Sequence, residues 1–202
     1  MTDEGFATTS GEVARRRRLF LAIDVPAPLR RLIAQVQTEL RPLLPSARWT
    51  RSEAMHITVK FLGAVDTLVV GQVEAVAAAV AARHAGSVLP LLGLGGAPGL
   101  RRPRVVWVDC QASPEVARLQ ADLQEDLSTL GIPRETRPFR PHITLARVDP
   151  RRARPTGPLV LSPTLASALC AASIPVTELV LFESVPRQDG VRYVVLRRFG
   201  LG

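Results

Sequence analysis

The tripeptide His-Ile-Thr occurs twice, as His56-Ile57-Thr58 and His142-Ile143-Thr144, in a chain of 202 residues that has only three histidines. With 13 threonines in the chain, two of three histidines would gain a threonine two places on by chance roughly once in a hundred. Each copy opens a stretch that is short, rich in β-branched residues and free of Gly and Pro: His56-Ile-Thr-Val-Lys-Phe-Leu62 and His142-Ile-Thr-Leu-Ala-Arg-Val148. Both are predicted strands. In a strand, residues two apart share a face, so each His lies beside its Thr while Ile57, Val59, Ile143 and Leu145 point into a core. The fold must therefore present two polar pairs, each on an apolar backing. Strict alternation puts the fifth residue after each His, Phe61 and Arg147, on the opposite face, unless a bulge or a strand end intervenes.

The rest of the pattern alternates strands with helices. Residues 1 to about 17 lack periodicity and end in Arg15-Arg16-Arg17-Arg18, which predicts a mobile tail with a solvated basic flank that could contact RNA phosphates. Strands are expected at 19–25, 56–62, 88–94, 104–109, 142–148, 176–182 and 191–199, the last two joined through Asp189-Gly190. Helices are expected at 26–44, at about 66–84, near 165–170 and after Ser113, where Ser113 caps, Pro114 opens and Gly131 stops the helix. The expected architecture is α+β and bilobal, with two antiparallel or mixed sheets and outer helices around a central cleft. Residues 18–202 form one domain, and a pseudo-two-fold relation between lobes brings the two His/Thr faces together.

Composition narrows the classes. A hydrophobic content of 47% indicates a globular protein. The apolar stretch Leu19 to Val25 is too short for a membrane span or signal core and carries Asp24, so a cytoplasmic location without membrane attachment is expected. Cys110 and Cys170 lie far apart in apolar contexts and read as buried free thiols, with no metal-type spacing. The net charge of +8 is carried by arginine, Lys60 being the only lysine. Guanidinium forks suit phosphate oxygens, so nucleic acid is a fitting partner, although a general arginine bias gives the same count.

Two imidazoles with ordinary pKa values near 6.5 can divide proton transfer at neutral pH, one accepting and the other donating. In-line displacement at a phosphodiester needs that division, and two threonine hydroxyls could hold the non-bridging oxygens. No metal or cofactor is required by this scheme.

The chain resembles the RNA 2′,3′-cyclic phosphodiesterase/2′-5′ RNA ligase family of the two-histidine phosphoesterase superfamily. The resemblance runs through Arg18-Leu-Phe-Leu-Ala-Ile-Asp-Val-Pro26, His56 to Gly63, Arg104-Val-Val-Trp107, Arg137 to Arg147 and Leu181-Phe-Glu-Ser184. It implies a bilobal fold and hydrolysis of an RNA 2′,3′-cyclic phosphate end, on tRNA fragments among others, to a 2′-phosphomonoester. It also implies joining of such an end to a 5′-hydroxyl through a 2′-5′ linkage. By position, His56 and His142 become the acid/base pair and Thr58 and Thr144 the phosphate holders, while Phe61 resembles a base-stacking aromatic and Arg147 a phosphate-binding arginine. One order makes His56 the acid and His142 the base, which the sequence does not fix.

Other readings stay open. A noncatalytic RNA or nucleotide binder on the same fold would use the cleft for recognition alone, and a phosphodiesterase for small cyclic nucleotides or 2′-5′ oligonucleotides would share the chemistry. Trp49 and Trp107 read as packing anchors, His84 as a surface or helix-end residue, and Lys60 and Arg140 as flanking cations near the phosphate or in solvent. The expected assembly is a monomer.

Overall fold

The computed structural model describes residues 15–149, 151, 155–188 and 190–202. In chain order these form β1 (Arg16–Asp24), α1 (Ala27–Leu40), β2 (Arg48–Trp49), β3 (His56–Asp66), α2 (Val70–Ala81), β4 (Ser87–Ala97), β5 (Val105–Cys110), α3 (Pro114–Ser128), β6 (His142–Arg147), α4 (Pro163–Cys170), β7 (Ser173–Val176), β8 (Glu178–Arg187) and β9 (Gly190–Gly200). Short 3-10 turns follow α1 and precede β3 and α2. No helix among the described residues is long and apolar enough to cross a membrane.

Local chemistry sets the element ends. Ser113 accepts a hydrogen bond from the Val116 amide at 3.3 Å and Pro114 opens α3, a combination that satisfies one orphan donor and needs no amide at the first helical position. Gly131, at φ +77°, turns the chain after α3, a conformation costly for any residue with a Cβ. The β8/β9 hairpin closes on the pair Arg187 and Gly190; Asp189, part of its expected turn signal, lies outside the described residues.

The strands run in the order β7-β4-β5-β6-β3-β1-β8-β9, and every neighbouring pair is antiparallel. The centre of this order is the junction of β6 and β3, where Ile143 pairs with Ile57. On one side β1, α1 and β3 make a strand-helix-strand unit; on the other β5, α3 and β6 repeat it. The two expected lobes are these halves, and they share one sheet and one core. Beyond Ile143, β6 takes β2 as its neighbour, with Trp49 beside Ala146 and Arg48 beside Arg147.

One face of the sheet carries the core. Leu19, Leu21 and Ile23 of β1, Ile57 and Val59 of β3, Val106 and Val108 of β5, and Ile143 and Leu145 of β6 pack with residues of all four helices in a single buried cluster. The amphipathic helices fit that role: α3 buries Val116, Leu119, Leu123 and Leu127 along one stripe. The opposite face has a much smaller apolar cluster, Phe20, Ala22, Val180 and Phe182 with Tyr193 against it. That helix-free face forms the cleft.

Of the expected tail, residues 1–14 lie outside the described residues, whereas Arg16 and Arg17 belong to β1 and Arg17 pairs with Glu183 at 2.6 Å. Helix α2 is shorter than its apolar stripe suggested, and β4 continues through residues expected in a loop.

Because Ile57 and Ile143 are fully buried at the junction, truncating either to Ala should lower the unfolding free energy by about 2–5 kcal/mol. Urea denaturation checks this, and a loss below about 0.5 kcal/mol, the range of an ordinary surface change, would show that the junction is not part of the core.

Candidate active site

Both His-Ile-Thr strands break alternation at the same place. Along β3, Ala22 faces Thr58 but Leu21 faces Lys60, so Val59 is the extra residue of a β-bulge. Val59 and Lys60 are therefore both buried, and Phe61 returns to the cleft face opposite Phe20. Along β6, Trp107 faces Thr144 but Val106 faces Ala146; Leu145 is the extra residue, and Arg147 returns to the cleft face opposite Val105. Over His56–Phe61 and His142–Arg147 burial runs identically: half-buried, buried, half-buried, buried, buried, exposed. The bulges overturn the expectation from strict alternation. The cleft face of β3 reads His56, Thr58, Phe61, and that of β6 reads His142, Thr144, Arg147.

Continuing the antiparallel register from Ile57 and Ile143 sets His56 across from Thr144 and Thr58 across from His142. Cross-strand neighbours of this kind are about 5 Å apart at Cβ, so the four polar side chains form one compact group. Each imidazole is fixed from behind by a carbonyl two residues upstream. His56 Nδ1 lies 2.8 Å from the Ala54 oxygen, and His142 Nδ1 lies 2.8 Å from the Arg140 oxygen. A carbonyl only accepts, so Nδ1 carries the proton in both rings and Nε2 is left to exchange one.

The sequence model of the 2′-5′ RNA ligase superfamily matches residues 25–186, a span that holds both motifs and both bulges. The chain belongs to that superfamily. An RNA 2′,3′-cyclic phosphodiesterase of Geobacillus stearothermophilus is 31% identical over 181 residues, 88% of this chain and 56% of its own length. The chain thus spans just over half of that relative. An RNA 2′,3′-cyclic phosphodiesterase of Escherichia coli is 31% identical over 187 residues, 92% of this chain and 97% of its own. Among solved structures, TT0787 of Thermus thermophilus superposes with TM-score 0.77 at 28% identity, covering 91% of this chain and 97% of that one. E. coli LigT complexed with 3′-AMP gives 0.69 at 29% identity, covering 93% and 99%.

Within this superfamily member the two histidines sit in unlike surroundings. The His56 ring is 4.8 Å from Phe20, 4.9 Å edge-on from Tyr193 and 6.1 Å from Phe182. This aromatic box desolvates the imidazole, and burial pushes its pKa down; the Ala54 hydrogen bond and the Asp24 carboxylate oppose the shift, and His142 adds to it. Phe61, 60% exposed, extends the aromatic group toward solvent, 6.2 Å from Phe20. His142 has one aromatic contact, Trp107 at 5.3 Å. An aspartate faces each histidine across the neighbouring strand, Asp24 for His56 and Asp109 for His142. Asp24 is held by Arg30 and Arg198, and Asp109 accepts from Trp107 Nε1 at 2.5 Å.

Several sequence expectations need correction. Trp107 packs on the cleft face and not in the core: it lies over Gly95, where a Cβ would fall 2.3 Å from its Nε1. Trp49 does pack against the core, under the Arg41 guanidinium. Lys60 is neither solvated nor on the face of Thr58 and Thr144. The bulge turns it inward, where its ammonium donates to the Pro133 oxygen at 2.6 Å and lies 4.0 Å from Glu135; burial pushes its pKa down and Glu135 acts against this. Arg140 contributes its backbone oxygen rather than its side chain. His84 ties α2 to α3 through Asp122 at 2.9 Å. Cys110 is buried, with its thiol pushed up to about 12 by burial and Asp109, whereas Cys170 is exposed.

The aromatic box has no sequence signal of its own, since it depends on cross-strand register, and the two carbonyl anchors depend on the backbone conformation just upstream of each strand. His56 should titrate below 6.5 by NMR, and Phe20→Ala, which admits water to the ring, should raise that pKa; an unchanged value would remove desolvation as the cause.

Proposed function

We propose that this superfamily member hydrolyses 2′,3′-cyclic phosphate ends of RNA to 2′-phosphomonoesters, with the two imidazoles as acid and base. The observation that carries the reading is the matched pair of Nδ1–H anchors, which leaves Nε2 of both rings free beside both threonine hydroxyls. The names of the curated relatives, RNA 2′,3′-cyclic phosphodiesterases, support the substrate class. The E. coli LigT complex with 3′-AMP supports a nucleotide as ligand of such a cleft.

The step balances with water as the sole co-reactant. His142 Nε2 takes a proton from water as its oxygen attacks phosphorus, the P–O3′ bond breaks, and His56 Nε2–H protonates the departing O3′. Phosphorus stays on O2′. Thr58 and Thr144 donate to the non-bridging oxygens, Arg147 supplies a cation one cleft-facing step further along β6, and Phe61 stacks the terminal base, a contact of about 1–3 kcal/mol. If a 5′-hydroxyl replaces water, the same proton movements join two RNA ends through a 2′-5′ linkage.

The depressed pKa of His56 works against the acid role until substrate binds. In the empty cleft burial disfavours its imidazolium; an anionic phosphate against the ring restores that charge. Substrate or product binding at pH 7 is therefore coupled to proton uptake. Calorimetry of nucleoside 2′-phosphate binding in buffers of different ionisation enthalpy should read that proton, and His56→Ala should abolish it; uptake that persists in the variant would assign it elsewhere.

On a short oligonucleotide ending in a 2′,3′-cyclic phosphate, the wild type should release only the 2′-phosphate, with a bell-shaped pH profile and no response to EDTA. His56→Ala and His142→Ala should each lower kcat by about 10²–10⁴ with circular dichroism unchanged. A 3′-phosphate product, or loss of activity on chelation, would sink the mechanism.

A further inference from the structure

Beyond the histidines, β6 and β2 bring two arginines side by side. Arg48 is the register partner of Arg147, and Trp49 the partner of Ala146. Directly opposed residues share a face. Trp49 and Ala146 are on the core side, so Arg48 and Arg147 both project on the cleft side, in line with Val105 of the next strand. Both are exposed.

Several arginines have a carboxylate partner, and Arg16, Arg18, Arg187 and Arg192 have none among the described residues; what sets Arg48 and Arg147 apart is that they are unpaired and directly opposed. Arg17 pairs with Glu183, Arg30 with Asp24, Arg197 with Glu74, and Arg198 with Asp24 and Glu178. No carboxylate among the described residues pairs with Arg48 or Arg147. Like charges directly opposite one another on a sheet repel, and two adjacent planar forks match the oxygens of one phosphate. The pair is built for an anion.

We propose that Arg48 and Arg147 form a second phosphate site, which takes the phosphodiester on the 5′ side of the nucleotide whose cyclic phosphate reacts. The inference rests on the proposed function and extends it to the substrate's length. The reacting phosphate belongs to the two Nε2 atoms and the two threonines. Arg147 is one cleft-facing step beyond Thr144, on the order of 7 to 10 Å along the strand including the bulge, which separates a second phosphate from the first. Arg48 makes that step a two-armed clamp. A terminal nucleoside cyclic phosphate without a 5′-phosphate leaves the clamp empty.

The test is equilibrium binding to the full-length protein, which needs no turnover. The wild type should bind a nucleoside 2′,5′-bisphosphate about tenfold more tightly than the 2′-monophosphate, the gain of one charge-assisted contact; in Arg48→Ala this ratio should fall below about twofold. An equimolar mixture of the 2′-monophosphate and a separate 5′-monophosphate should give no such gain. A wild-type ratio near one, an unchanged ratio in Arg48→Ala, or an equal gain from the mixture would each overturn the same-strand assignment. If the ratios are as expected but no cyclic phosphate is hydrolysed, the clamp stands and the proposed reaction fails.

Discussion

The pairing of Ile57 with Ile143 governs the geometry of everything on the cleft face. It sits at the centre of the strand order, fully buried and backed by the shared helical core. Antiparallel register about that pair does with backbone hydrogen bonds what a binding loop would do with side chains: it brings residues 86 positions apart in the sequence into cross-strand contact. Two rigid central strands hold the polar group, so its geometry is set by the sheet and not by mobile segments. Past the junction, β6 takes β2 as its partner, in a separate register that sets Arg48 against Arg147.

Matched bulges give each strand a third cleft-facing position. Without the extra residue at Val59 or Leu145, the side chains at 61 and 147 would point into the core, where an arginine would be costly to bury unpaired. With it, a hydrophobic pair of inward residues is followed by a return to the cleft. In β3 the second inward residue is Lys60, which needs the Pro133 oxygen and Glu135 to be tolerated there. Glu135 also accepts from the Phe61 amide at 3.0 Å, so the bulge is supported from outside the sheet. The pseudo-symmetry ends at the side chains: the His56 half is aromatic and desolvated, whereas the His142 half leads to arginines. Under the proposed function these two halves serve as a base end and a phosphate end.

Much of this was legible before any coordinates. The two His-Ile-Thr strands, their alternation as far as the threonines and the capped helix at Ser113 are local signals, and they hold. Phe61 and Arg147 were legible only through resemblance, because a bulge leaves no mark in a single strand's pattern; it exists in the register between two strands. Lys60 departs from its strand's alternation for the same reason, turned inward by the bulge at Val59, whereas Trp107 follows the regular alternation of β5. Phe20, Phe182 and Tyr193 came from strands whose alternation showed which residues share a face, but not which strands are neighbours. Cys170 lies at the end of a short helix where apolar context did not mean burial.

A crystal structure with a nucleoside 2′-phosphate bound tests the central claim most directly. The account requires the phosphate over the Ile57/Ile143 junction, with Nε2 of His56 and of His142 within hydrogen-bond distance of its oxygens and both Nδ1 atoms still on the Ala54 and Arg140 carbonyls. A phosphate bound away from the junction, or one held by only one imidazole, would contradict it.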